Sequence, residues 1–289
     1  MGLITVQGRQ YFREWYANCH AGCLFEVKKV LTQVQSEFQT IEVYETPSLG
    51  RLFALDSIVQ TIDQFEFIYH EMLAHPAMYA HPNPETVLII GGGDGGTLRE
   101  ALRHASVQKA VLCEIDCRVI EVAREWLPKM ACSFFDPRAE IHVADGVAFL
   151  QKTDRLFDVI IIDSTDPTAG EGGNLFTEAF YNLCRDRLTA QGVLSAQTEN
   201  PIYDHAWMKR AFFHIQSAFP NARIYTSPCP QYPSGYWCYT IASKGPDPLH
   251  RIPTERKTES LSLQYYTPEI HTASFALPPF LSHLLDHPL

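Results

Sequence analysis

Val87-Leu-Ile-Ile-Gly91-Gly92-Gly93-Asp94-Gly95-Gly96-Thr-Leu-Arg-Glu decides the fold of this chain. Four apolar residues form a strand-like run, a glycine loop interrupts it, and a segment with helical character follows. A strand that feeds a helix through such a loop opens a nucleotide-type crevice, because a Cβ at the loop would hold a ligand away from the backbone. Gly91 and Gly93 are therefore candidate contacts. Working outward, Ala110–Ile115 reads as the next strand and carries Glu114 near its end, where a carboxylate suits the two hydroxyls of a ribose.

The same alternation continues. Helix Arg118–Leu127 follows, then strand Ile141–Val143 and helix Val147–Gln151, then strand Val159–Ile162 and helix Thr177–Leu188. Val193–Gln197, a helix over about Asp204–Phe219, and strands Arg223–Thr226 and Trp237–Ala242 complete the pattern. Repeated strand–helix units predict an α/β fold with a mostly parallel, doubly wound sheet. The last two strands lack a long intervening helix, so an antiparallel hairpin is expected at the sheet's end. Upstream, Leu24–Val30, Phe38–Tyr44 and Leu52–Leu55 read as short strands of a small all-β unit. The expected division is residues 1–64 and 65–289. Between the two, Phe65-Glu-Phe-Ile-Tyr-His-Glu-Met-Leu-Ala-His has a helical pattern with Tyr69 and His70 facing away from part of its apolar stripe.

Asp94 discriminates among nucleotides. A loop carboxylate repels a pyrophosphate and attracts positive charge, so an adenosyl sulfonium fits better than NAD. A P-loop lysine is missing from the glycine run. Asp94 also suits capping of the helix after it, and the two uses are compatible. Asp145-Gly146 ends the third strand near an expected adenine, and Asp145 equally suits a helix N-cap. The fourth strand ends in Asp163-Ser-Thr-Asp166-Pro167, two carboxylates at the ligand-binding edge of the sheet. Asp166 equally suits the start of a turn. The glycine-rich segment that follows, about 163–175, suits a mobile gate.

The chain has 289 residues, 46% hydrophobic and 19% charged, enough apolar material for a large core. With 23 Lys plus Arg against 33 Asp plus Glu, the net charge is −10, which argues against a nucleic-acid partner and favours cationic ligands. No apolar run of membrane-spanning length occurs and the start does not read as a secretory signal, so a cytosolic protein without membrane association is expected. The eight cysteines form no Cys-x-x-Cys pair and read as reduced thiols used mainly in packing. His20, His75, His81 and His104 read as surface or helix-end residues.

Taken together, Leu55-Asp-Ser-Ile-Val-Gln60, Glu66-Phe-Ile-Tyr69-His70-Glu-Met, the Gly91–Gly96 loop, Glu114-Ile-Asp116, Asp145-Gly146, Asp163-Ser-Thr-Asp166-Pro, Ala196-Gln-Thr-Glu199, Tyr232-Pro-Ser-Gly and Tyr266-Thr-Pro-Glu-Ile-His resemble the spermidine synthase family of aminopropyltransferases. The resemblance covers nearly the whole chain. It implies a small N-terminal β domain on a methyltransferase-like Rossmann domain, assembled as a homodimer or homotetramer. It implies transfer of an aminopropyl group from decarboxylated S-adenosylmethionine, a co-substrate, to a diamine, normally putrescine. No prosthetic group is implied, and displacement at a sulfonium calls for no metal.

Carried over by position, Glu114 holds the ribose and Asp145 the adenine amine, while Gln39 and Gln60 line the nucleoside pocket. Asp94 and Asp163 hold the transferred chain's amine. The resemblance assigns Asp163 as the base at the attacking nitrogen, with Tyr69 and the backbone at Asp163 and Ser164 positioning that nitrogen. Asp166 and Tyr232 lie beside the diamine, Glu199 helps hold its far amine, and His70 lines the acceptor side. The segment Thr168-Ala-Gly-Glu-Gly-Gly-Asn174 departs from the family by lacking its usual proline, which leaves cadaverine, agmatine or a longer polyamine open as acceptors. A methyltransferase using intact S-adenosylmethionine is disfavoured by Asp94, and a non-catalytic nucleoside-binding protein by the joint presence of Tyr69, Asp163, Asp166 and Tyr232.

Overall fold

The computed structural model describes residues 2–17, 19–165, 174–253 and 260–286. The chain opens with an antiparallel three-stranded sheet, β1 (Gly2–Val6), β2 (Arg9–Tyr16) and β3 (Ala21–Glu26). An antiparallel four-stranded sheet follows, β4 (Lys29–Gln35), β5 (Thr40–Glu45), β6 (Arg51–Leu55) and β7 (Ile58–Ile62). Asp56 and Ser57, with φ of 48° and 65°, make the tight two-residue link between β6 and β7, a conformation that matches the twist of paired strands. The run read as one strand over Leu24–Val30 divides instead at Val27-Lys28, its halves pairing in different sheets. β1 and β2 were not legible as strands, because their side chains are half-exposed and polar residues break the alternation.

Helix α1 (Glu66–Ala80) leads into the main sheet. In chain order come β8 (Thr86–Gly91), α2 (Gly96–Leu102), β9 (Lys109–Glu114), α3 (Cys117–Trp126), α4 (Pro128–Ala131), β10 (Ala139–Val143), α5 (Gly146–Lys152), β11 (Phe157–Asp163), α6 (Glu178–Asp186), β12 (Leu188–Gln197), α7 (His205–Ala218), β13 (Asn221–Pro228) and β14 (Tyr236–Ser243). Two short helices, α8 (Pro268–Ser274) and α9 (Pro279–Leu285), follow. The seven strands lie in the order β10-β9-β8-β11-β12-β14-β13. The first five are mutually parallel, and β14 pairs antiparallel with both β12 and β13, which is the expected terminal hairpin.

Topology fixes where a ligand goes. From β8 the chain steps outward to β9 and β10, then returns to lay β11 on β8's other side. That reversal leaves a crevice at the carboxyl ends of β8 and β11, where Gly91 pairs with Asp163. The sheet is buried on both faces. Val87, Ile89, Val159 and Ile161 pack toward α1 and α2, while Leu88, Ile90, Ile160 and Ile162 pack on the side of α6 and α7.

Helix α1 forms where its pattern predicts and is buried on more than its apolar stripe. Thirteen of its residues are buried, including Tyr69 and His70, because it is sandwiched against the sheet and α2 rather than lying on a surface. Of the four histidines read as surface or helix-end residues, His81 and His104 lie buried at the ends of α1 and α2, His75 is buried within α1, and His20 is exposed. Of the eight cysteines, all free thiols, Cys113, Cys184, Cys229 and Cys238 serve the core, whereas Cys19, Cys117 and Cys132 are exposed. Among the described residues no helix is long and apolar enough to cross a membrane. Nor does any group of three or more His, Cys, Asp or Glu among them suit a metal ion.

Candidate active site

The switch-point crevice opens into a cleft of about 1240 Å³, part of it open to solvent. Its floor comes from the carboxyl ends of β8, β9, β10 and β11, and its roof from the two N-terminal sheets. Gln39, Gln60, Tyr69, Gly91, Gly93, Asp94, Glu114, Asp145, Gly146, Asp163, Ser164 and Tyr232, all singled out from the sequence, line it together. His70 and Glu199 do not line it. Each is buried behind the wall, His70 with its Nδ1 2.6 Å from Glu66 Oε2 and Glu199 in the turn after β12, where its φ is 76°. Asp166 and most of the expected gate lie outside the described residues.

At one end stands Glu114. Its Oε1 accepts the backbone N–H of Asp116 at 2.9 Å, and burial pushes its carboxyl up to about 7. Gly93 faces it closely, since a Cβ there would lie 2.9 Å from Glu114 Cγ. Asp116 caps α3 by accepting from the N–H of Arg118 at 3.0 Å. Its other oxygen accepts Ser36 Oγ at 2.6 Å and Gln39 Nε2 at 3.1 Å, tying the β4–β5 turn to this end of the cleft. Asp145 caps α5 through the N–H of Ala148 at 2.8 Å and still faces the cleft, so the capping and lining alternatives hold at once.

At the other end stands Asp163, closing β11. Tyr69 donates its hydroxyl to Oδ1 at 2.7 Å and Thr97 donates to Oδ2 at 2.6 Å. The backbone carbonyl of Asp163 accepts from Gly92 N–H at 2.8 Å, a closeness that Gly91, at φ 81°, permits: a Cβ on it would lie 2.2 Å from that oxygen. Burial raises the Asp163 carboxyl, and the charge of Asp94 raises it further, against the opposing pull of His70, Thr97 and Tyr69. Burial holds the Tyr69 phenol protonated, with the Asp163 charge acting in the same direction. Asp94 accepts the N–H of Gly96 at 2.6 Å, the helix-start bond anticipated for it, while remaining in the cleft wall. Tyr232 stands edge-on to Tyr69, ring centroids 5.6 Å apart, and donates its hydroxyl to Gln60 O at 2.9 Å.

A buried carboxylate, Glu114, at one end and the paired acidic groups Asp94 and Asp163 at the other suit a ligand with hydroxyls at one end and a cationic arm at the other. Comparison with known proteins agrees. The family model described as spermine/spermidine synthase domain matches residues 66–250, and that of the spermidine synthase tetramerisation domain matches residues 10–63. The chain belongs to the spermine/spermidine synthase family. It is 52% identical to a polyamine aminopropyltransferase of Thermotoga maritima over 279 residues, 96% of this chain and 94% of the relative. A Bacillus mycoides polyamine aminopropyltransferase is 42% identical over 92% of this chain and 96% of its own length. A crystal structure of spermidine synthase in complex with the transition-state analogue AdoDATO superposes with a TM-score of 0.92 at 51% identity, covering 96% of this chain and 94% of that one.

Within this family member the sequence reading missed several cleft groups. Thr97 sits one residue beyond the glycine loop, and its place in the first turn of α2 was the available signal. Gln197 lines the cleft and donates to Ser164 O at 3.0 Å, and Trp237 lines it with its ring 4.5 Å from that of Tyr232. Glu14, Tyr16 and Asp56 reach the cleft from the N-terminal sheets, a placement that required knowing how those sheets fold over the crevice. The aminopropyltransferase cleft is thus assembled from both ends of the chain's first 240 residues.

Proposed function

We propose that the chain is a spermidine synthase, transferring the aminopropyl group of decarboxylated S-adenosylmethionine to putrescine and releasing spermidine and methylthioadenosine. The observation that carries this reading is Asp163, a half-buried carboxylate held by Tyr69 and Thr97 beside a second carboxylate, Asp94. In this reading Glu114 takes the ribose hydroxyls, Asp145 the adenine amine, and Gly91, Gly93, Gly146, Gln39 and Gln60 the surrounding surface. Asp94 and Asp163 receive the ammonium of the transferred chain.

The reacting carbon is already activated by the sulfonium. The amine nitrogen attacks it in line, the C–S bond breaks with its electron pair going to sulfur, and the new ammonium gives a proton to Asp163. The protein's task is alignment and proton removal. An alkyl ammonium near pKa of about 10 is not a nucleophile, and an ordinary aspartate near about 4 is a poor base for it. The sulfonium and desolvation lower the amine, while burial and Asp94 raise Asp163, so the gap narrows from both sides. Tyr69, its proton committed to Asp163, offers its oxygen lone pairs to the amine N–H. Ser164, Tyr232 and Asp166 flank the acceptor.

The same reading assigns residues 1–64 to a β domain and 65–289 to the catalytic domain, with a cytoplasmic homodimer or homotetramer as the working form. Exposed Val6, Trp15 and Leu24 on the first sheet support contact between copies there. The deciding experiment measures methylthioadenosine release with putrescine, cadaverine, agmatine and spermidine offered separately, intact S-adenosylmethionine serving as control donor. Putrescine is expected to be preferred. Preference for another amine would overturn the acceptor assignment and leave aminopropyl transfer standing.

A further inference from the structure

Behind Asp94, away from the cleft, lies a row of buried charges that the transfer scheme above leaves unused. His70 is fully buried on α1. Its Nδ1 lies 2.6 Å from Glu66 Oε2, and its Nε2, which has no hydrogen-bond partner among the described residues, faces Asp94 Oδ1 at 3.6 Å. Glu66 is gripped in turn by Arg99, whose two terminal nitrogens each reach one of its oxygens at 2.9 Å. Arg99 also holds Glu100 through Nε at 2.7 Å. Space for the imidazole is made by Gly96, where a Cβ would lie 2.3 Å from His70 Cε1.

This arrangement addresses a problem in the site itself. Asp94 and Asp163 share one buried corner, and like charges so placed drive one of the two to take up a proton. A base that is already protonated cannot accept the amine's proton. A cation directly behind Asp94 relieves the repulsion, and an imidazole in that position stays cationic only if its second nitrogen meets an anion. Glu66 is that anion, and the bidentate hold of Arg99 keeps Glu66 ionised.

We propose that Glu66, clamped by Arg99, is a positioning residue of the transfer reaction: it fixes His70 as a cation against Asp94, and that cation allows Asp94 and Asp163 to be ionised together. The proposal rests on the reading of Asp163 as the base. Its electrostatics run in the required direction. Burial opposes a charged His70, yet Asp94 and Glu66 raise it to about 10, and His70 pulls Asp163 down against burial and Asp94. Glu66 is driven to about 2 by His70 and Arg99 despite its burial. The other groups that face this corner are Tyr69 on α1, Thr97 and Glu100 on α2 with Arg103 just past its end, His75 through Glu100, Glu114 at the end of β9, and Tyr232 and Tyr239 beside Tyr69.

The test is the pH dependence of kcat/KM for the acceptor in the native enzyme and in Glu66→Gln, which keeps the shape and removes the charge. The acid limb of the profile is expected to move to higher pH by about one unit, with the alkaline plateau retained. A folded Glu66→Gln protein whose acid limb stays in place overturns the proposal. Should that variant fail to fold, NMR of the isotope-labelled His70 ring in the native protein decides: an imidazolium at pH 8 is expected, and a neutral ring overturns the proposal. Asp163→Asn separates the two readings, because turnover surviving that change would remove Asp163 as base while leaving the charge state of His70 open to measurement.

Discussion

At the scale of single residues, Asp163 and Glu114 have carboxyls raised by burial at opposite ends of one cleft, and they lead to different experiments. Asp163→Asn keeps the hydrogen bonds of Tyr69 or Thr97 to one oxygen but removes the proton acceptor. Turnover is expected to fall by about 10²–10⁴-fold, the usual worth of a positioned base, with nucleoside affinity changed far less. Steady-state kinetics beside calorimetric binding of methylthioadenosine would check this. Burial pushes the Glu114 carboxyl up to about 7, and under the proposed ribose assignment its ionised form is the one with both oxygens free to accept from the hydroxyls. Nucleoside affinity is therefore expected to weaken as pH falls from 8 through 7 to 6, and this pH dependence should vanish in Glu114→Gln. Affinity that is flat with pH in the native protein would remove Glu114 as the ribose ligand.

At the scale of elements, the turn from β8 into α2 and the helix behind it were legible to different degrees. The glycine loop, Glu114, Asp145 and Asp163 could be read because each ends a strand of a repeating pattern, and strand ends in such a sheet lie at one edge. The surroundings of α1 could not. Its apolar stripe leaves Tyr69 and His70 facing partly away, and only the contacts show that Glu66, His70, Glu71 and His75 each find a buried partner. Charged residues on a buried helix defeat a pattern argument, because the pairs that justify their burial are made across the fold. Gly96 makes the point quantitatively. Gly96→Ala would set a methyl against the His70 ring, and overpacking of this kind is expected to cost about 1–3 kcal/mol, read as a lowered midpoint in urea unfolding. An unchanged midpoint would show that the ring moves aside freely.

At the scale of the whole molecule, residues 264–266 are tied to the catalytic core through one buried side chain. Glu71, two residues past Tyr69, accepts the backbone N–H groups of Gln264, Tyr265 and Tyr266 at 2.9, 2.9 and 2.8 Å. Glu71→Ala leaves these donors without their acceptor and is expected to cost about 3 kcal/mol or more. Hydrogen exchange should localise the loss of protection to residues 264–266, and uniform loss across the chain would contradict this anchoring. The sequence pointed to Tyr266 as part of a family-like motif, but not to the carboxylate nearly two hundred positions earlier that holds it. Doubly wound topology and the terminal hairpin followed from periodicity, and the crevice from the glycine-loop motif, whereas the strand order that sets the β8–β11 switch, the fold of the first 26 residues and the burial of α1 depended on partners distant along the chain.

Asp116 shows a further consequence of such shared partners. One of its oxygens caps α3 and the other receives both Ser36 and Gln39. Positions 36, 39 and 116 are thus mechanically coupled: changing Asp116 releases the start of α3 and the turn above the Glu114 end of the cleft together, whereas changing Ser36 or Gln39 loosens that turn alone.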